Sequence, residues 1–196
     1  DITKDRVKTF CGLYFPAALG LASDFWRMGV IGAMAARLGE VEVGVFNTSY
    51  RIIWIVIVFT SSIASAAGIK MGVRLGGGDP LGAKRAGHVG IFMSLVILFV
   101  LCVAMSSYIR ELGEIFTTDE EFLDLFEECR LPFIATIFAM NLAVAIEKVP
   151  ISMGRTGEVF WMGFVGSWFG QVPASYFLIK YWRNDLIGLY SGVALG

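Results

Sequence analysis

The chain has 196 residues, of which 56% are hydrophobic and only 17% charged, with a mean hydropathy of +0.69. A soluble domain carries about a quarter charged residues, so this balance points to a polytopic membrane protein. The net charge of −1 says nothing about nucleic acid, but no basic cluster interleaved with aromatics is present and no nucleic-acid partner is expected.

Asp1–Lys8 lacks the apolar core and cleavage site of a secretory signal. The first apolar stretch, Phe10–Leu38, is the longest and carries charge in its middle: Asp24, with Arg27 three residues on. Ionisable groups at that depth are costly and mark ion or substrate pathways by default. Two readings stay open for Asp24. It can be an ion-coupling site, or it can be neutralised by Arg27, which shares its helical face. Trp26 next to it would add a cation-attracting ring to a cavity. Ile52–Ile69 is an uncharged run of 18 residues, preceded by Asn47, Thr48, Tyr50 and Arg51, and Gly76–Pro80 breaks the helix that contains it.

Val89–Ile109 and Val159–Ile179 are uncharged over 21 residues each, about 32 Å of helix against a bilayer core of about 30 Å. Between them, Thr117–Glu121 opens a short acidic amphipathic helix running toward Leu131. Leu131–Ile146 is shorter, holds Asn141, and ends at Glu147 and Lys148. Those two either reach the headgroups or face a cavity. Gln171 lies within the next apolar run, where interhelical hydrogen bonding is its bland role. Pro16, Pro150 and Pro173 are expected to kink their helices and free carbonyls. Tyr181 and Trp182 fit an interfacial belt, and Leu186–Gly196 stops after half a span. With no initiator Met and this cut-off end, the chain reads as a piece of a longer protein.

The expected fold is all-α: a polytopic membrane helix bundle of five complete transmembrane helices plus a truncated sixth. The helices are placed at about 10–38, 45–73, 86–110, 125–153, 157–182 and 186–196. Connections on one side carry nine basic residues; the other side carries four, or six with Arg37 and Arg51, and holds the acids of Glu111–Glu128. The positive-inside rule puts the N-terminal end in the cytoplasm. Which membrane holds the chain is not encoded.

No enzyme motif holds together. His88 is the only histidine and has no triad partners, Ser191 has no base, and Gly76–Gly78 is not followed by a phosphate-loop lysine. Cys11, Cys102 and Cys129 are too scattered for a bridge or metal site, so no metal or cofactor is expected.

Five segments in order resemble the C-terminal half of a multidrug and toxic compound extrusion (MATE) transporter. They are Leu75-Gly76-Gly77-Gly78-Asp79 with Ala83-Lys84-Arg85, Ile115-Phe116-Thr117-Thr118-Asp119, Ile151-Ser152-Met153-Gly154-Arg155-Thr156, Gln171-Val172-Pro173, and Gly188-Leu189-Tyr190-Ser191-Gly192. The resemblance implies one six-helix lobe of a twelve-helix carrier. That carrier would export organic cations, drugs or other amphiphiles by antiport with H⁺ or Na⁺, the N-terminal lobe and the bilayer being its partners. Ser23-Asp24-Phe25-Trp26 falls at the family's seventh-helix acidic segment, which makes Asp24 the expected ion-coupling residue. The tenth-helix acid of the family falls at Met140 or Asn141 here. Glu147, seven residues after Met140 and about 10 Å along the same face, is expected to replace it. Trp26, Arg27, Asn47, Tyr50, Asn141 and Gln171 are the candidates for the substrate cavity. The alternative is a lipid or lipid-linked sugar flippase of the same superfamily, drawing on Arg27 and Arg51; an intramembrane hydrolase is the remaining, weaker alternative.

Overall fold

The computed structural model describes residues 3–196, so the expectation for Asp1–Lys8 can be followed only from Thr3. Among the described residues every regular element is helical and no strand occurs. The order is α1 (Lys4–Ala35), α2 (Glu40–Gly76), α3 (Pro80–Ser107), α4 (Ile109–Glu114), α5 (Glu120–Glu128) and α6 (Arg130–Ser152). Then follow α7 (Thr156–Val165), a π-helical segment (Gly166–Gln171), α8 (Val172–Tyr181) and α9 (Leu186–Leu195).

Hydropathy marks where a helix meets lipid, whereas side-chain caps mark where it ends. The two differ by several residues here. α1 begins at Lys4 and not near residue 10, because the Thr3 hydroxyl accepts from the Arg6 N–H at 3.4 Å. α3 begins at Pro80 and not near 86, since the Asp79 carboxylate accepts from Gly82 N–H at 2.8 Å and Pro at the first helical position needs no donor partner. Gly78, at φ +75°, turns the chain into that cap, a conformation that favours glycine. Arg74 closes the loop from the other side, its Nη1 lying 2.6 Å from Asp79 Oδ2. The Gly82 N–H first and Arg74 second hold the Asp79 carboxyl below its ordinary value of 3.8. The helix expected over 125–153 is split at Cys129, so α5 and α6 are separate elements. The run expected over 157–182 is helical from Thr156 to Tyr181 but widens into the π segment.

Three helices, α2, α3 and α6, are both long and apolar enough to cross a membrane. α2, with 37 residues, spans about 56 Å and so overshoots a core of about 30 Å. α1 has the length as well but carries Asp24 and Arg27 in its interior.

Small residues set the packing. α2 lies along α3 with Gly90 against Ala67 and Gly87 against Met71; a Cβ on Gly90 would collide with the Ala67 methyl. α9 lies on α8 with Gly192 against the Ser175 backbone. Such close approach, with dispersion as its return, is how helices associate in lipid. One buried core joins α1 through α6 and α9, with its aromatic part where α2, α5, α6 and α9 converge. There Phe126 meets Phe133 (ring centroids 5.5 Å apart) and Phe133 meets Tyr190 (5.8 Å), each pair tilted by about 50° and all three buried.

α5 is amphipathic as expected from its sequence. Phe122, Leu123 and Phe126 face the core, while its acids meet Arg110. Arg110 Nη1 lies 2.9 Å from Asp124 Oδ1, and Nη2 pairs with Glu120. Arg183 bridges Glu128 at 3.1 Å and Asp185 at 2.6 Å, which ties the loop before α9 to the same acidic end.

α1 is joined to α2 by a short turn yet runs mainly beside α7. The helices α1 and α7 therefore stand across from α2 and α6, and the space between the two pairs is the cavity.

Candidate functional site

The cavity measures about 500 Å³ and is bounded by α1, α2, α6, α7 and the π segment. Each helix contributes side chains at helical spacing: Gly20, Asp24 and Arg27 from α1, Tyr50, Trp54 and Ile57 from α2. α6 adds Met140, Val144, Glu147 and Lys148, and α7 adds Phe160 and Phe164. Most of the wall is apolar and aromatic, with a few charged groups set into it, the composition of a small-molecule site.

The charged centre is built on α1. Arg27 is almost completely buried, its side chain 6% exposed, whereas that of Asp24 is 53% exposed. Arg27 Nη2 donates to Asp24 Oδ1 at 3.2 Å, and Nη1 donates to Gln171 Oε1. The Nε–H has no acceptor among the described residues. One helical turn back, Ser23 accepts from Trp168 Nε1 at 2.8 Å. Ser23 and Arg27 are four residues apart on α1, and Trp168 and Gln171 three apart on the π segment, so two rungs join the same pair of faces.

The π segment itself has a local cause. Pro173 has no N–H to offer the carbonyl of Phe169 and its ring crowds that position, so the preceding turn widens instead of closing normally. The result is a register that aims Trp168 and Gln171 at α1.

Glu147 stands on α6 across the same space. Its carboxylate lies against α7 at Gly163, where an added methyl would make ordinary contact with Oε1 at 3.8 Å. Asp24 is near enough to repel Glu147, and Lys148 and Arg27 near enough to attract it.

Of the residues singled out from sequence, Asp24, Glu147, Arg27, Tyr50 and Gln171 line the cavity together. Trp26, Asn47 and Asn141 do not. Trp26 is 67% exposed on the outer face of α1, and it is Phe25 that stacks on Trp54, with centroids 5.6 Å apart. Asn47 is exposed on α2. Asn141 is fully buried between helices: it accepts from Thr60 Oγ1 at 2.6 Å and donates to the Ile137 carbonyl at 2.8 Å. Arg51 is exposed and off the cavity as well. Sequence reading passed over Trp54, Phe160 and Phe164 as wall residues. Their signal was the four-residue spacing of Tyr50 with Trp54 and of Phe160 with Phe164, which puts each pair on one face. No cluster of His, Cys, Asp or Glu among the described residues could hold a metal ion.

The MatE family model matches residues 16–177. Among curated proteins, multidrug and toxin extrusion protein 1 of Mus musculus is 24% identical over 187 residues. That match takes in 95% of this chain but 33% of the mouse protein, so the chain spans about a third of the length of the curated relatives it matches. Among solved structures, the outward-facing conformation of a multidrug resistance MATE family transporter superposes with a TM-score of 0.91 at 16% identity, covering 100% of this chain and 44% of that one. An inward-facing conformation of such a transporter gives 0.80 at 17% identity, covering 100% and 45%.

Proposed function

The chain belongs to the MatE family, a family of integral membrane transporters and not of enzymes, and on that premise we propose that it is the C-terminal lobe of a twelve-helix secondary exporter. In this reading α1, α2, α3, α6 and the helical run Thr156–Tyr181 are five complete spans and α9 begins a sixth. The basic end of the bundle, with Arg74, Lys84 and Arg155, faces the cytoplasm. The N-terminal lobe of the same protein is the partner that closes the other side of the cavity.

The cargo is an organic cation, a drug, or another amphiphilic metabolite, moved in exchange for H⁺ or Na⁺. The observation that supports this most is the placing of two carboxylates, Asp24 and Glu147, in one aromatic-walled cavity between helices. Carrier sites lie near the membrane midplane between repeats, and ionisable groups there mark the ion path. Asp24 takes up the coupling ion. An arriving substrate competes for the carboxylate and displaces the ion, and the lobes then rock to the other side. Glu147 supplies the second carboxylate in place of the acid missing at Met140. Beyond substrate and coupling ion the scheme calls for no cofactor. The flippase reading draws on Arg27 and Arg51; with Arg51 off the cavity it keeps one of its two anchors.

The test is ion-coupled flux by the full-length protein in proteoliposomes. Asp24→Asn keeps an oxygen that can accept from Arg27 Nη2 while removing the charge. Substrate-driven ion exchange should vanish at normal expression. Exchange at the wild-type rate would take Asp24 out of the mechanism.

A further inference from the structure

The arginines beside α5 are matched by acids: Arg110 by Glu120, Asp124 and Glu127, and Arg183 by Glu128 and Asp185. At the other end of α3, where it meets α2, the bases outnumber the acids. Asp79 is taken up by Arg74 and by the Gly82 N–H. Lys70, Lys84 and Arg85 form no ion pair or hydrogen bond among the described residues. All three are exposed, as is His88, so this corner carries three positive charges without a counter-charge.

These charges are set among apolar side chains that are themselves exposed. On α3, Leu81, Arg85, His88 and Phe92 follow at i, i+4, i+7 and i+11, which is one outward face of the helix, and Phe99 and Val103 continue it. The uncharged stretch begins at Val89, so Arg85 lies about 6 Å along the helix from the apolar layer, at headgroup depth. On α2, Lys70 stands between the exposed Ile69 and Val73. The contacts of Ala67 with Gly90 and Met71 with Gly87 set Lys70 at the height of His88.

An acidic protein segment would match the charges but meet bare hydrocarbon between them, whereas one phospholipid answers to both. We infer that this corner binds an anionic phospholipid of the adjoining leaflet. The phosphate sits on Lys84 and Arg85, whose guanidinium can donate to two phosphate oxygens at once. Lys70 adds its attraction from α2, and an acyl chain lies along Phe92 and Phe99. Bases at this depth favour anionic over neutral headgroups, because a choline lipid brings its own cation to the same place. The inference goes beyond the carrier reading and needs only that α3 crosses a bilayer, so a failure of transport leaves it standing.

The experiment is photo-crosslinking of the full-length protein in nanodiscs of phosphatidylcholine with a minority of phosphatidylglycerol, the adducts being read by mass spectrometry. Phe92→p-benzoylphenylalanine reports on this corner, and Tyr108→p-benzoylphenylalanine reports on the far end of α3. At residue 92 the ratio of glycerol-lipid to choline-lipid adducts should exceed that of the bilayer about fivefold, the factor one base near an anionic surface supplies. At residue 108 it should equal the bilayer ratio. Lys84→Gln with Arg85→Gln should bring residue 92 back to the bilayer ratio, and so should 1 M salt, which screens exposed charges within about 3 Å. Arg85→Lys alone should keep most of the enrichment, which separates charge from a change in fold. A wild type with the bilayer ratio at residue 92, or an enrichment that survives the double substitution, overturns the proposal.

Discussion

Truncating Asp24 and neutralising Arg27 break the same ion pair but should cost very different amounts, because the partners are so unequally buried. At 3.2 Å and an effective dielectric of about 20, two unit charges attract by about 5 kcal/mol. That is a ceiling, since the Asp24 side chain is 53% exposed and keeps much of its hydration. Asp24→Ala leaves the 6%-exposed guanidinium of Arg27 with Gln171 alone. Removing one partner of a fully buried pair costs about 3–5 kcal/mol, and partial solvation of Asp24 lowers the expected loss to about 2–3 kcal/mol. Arg27→Gln strands only a carboxylate that water already reaches, and the new amide can still meet Gln171. Its cost should stay within about 1 kcal/mol. The double variant should resemble Arg27→Gln, giving a large coupling energy in the cycle. Thermal unfolding of the full-length protein in nanodiscs reads this out as a clearly larger drop in midpoint for Asp24→Ala than for Arg27→Gln. If Arg27→Gln lowers the midpoint as much as Asp24→Ala, the burial asymmetry does not govern the pair and the reasoning fails.

Adjacent positions on α6 should respond oppositely to a new acid. Met140→Asp puts a carboxylate into the cavity and should strengthen substrate-sensitive Na⁺ or H⁺ binding, while Asn141→Asp places it between α2 and α6 against Thr60 and should lower stability without adding an ion site; isotope or proton binding to the two variants decides. Gly192→Ala pushes a methyl into the Ser175 backbone and should cost about 1–3 kcal/mol by forcing α9 off α8, seen as a lowered unfolding midpoint, and an unchanged midpoint would contradict the packing. Burial above all, then the Glu128 charge, pushes the Cys129 thiol up to about 12 from its ordinary 9.0. Maleimide should therefore fail to label it in native protein at pH 8. Because the folded value is the raised one, its contribution is intact below pH 9 and is lost progressively as pH rises toward 12.

The parts of the fold visible in sequence were those governed by the cost of placing charge in lipid. The uncharged cores of α2, α3 and α6 could be read directly as apolar runs. Their ends could not, since a cap such as Asp79 on Gly82 extends a helix past the hydrophobic window, and the break between the acidic α5 and the apolar α6 falls at Cys129 with no proline or glycine at the break itself. The π segment was invisible apart from Pro173, because a proline in a sequence says only that the preceding turn is disturbed, and a kink and a widened turn answer to it equally. For the site, depth was legible and direction was not. Asp24, Arg27 and Glu147 were found by their charge within apolar runs. Trp26 and Asn141 have the same credentials in sequence, yet one helical step of about 100° turns Trp26 outward and Asn141 into the α2–α6 seam.

The most direct check on the central claim is to count ions released when substrate binds to the purified full-length protein, with no gradient and no flux. Substrate added to weakly buffered or ²²Na⁺-loaded protein should expel one H⁺ or Na⁺ per substrate bound, and Asp24→Asn should bind without expelling any. Tight substrate binding to the wild type with no ion set free would contradict the exchange mechanism at its root.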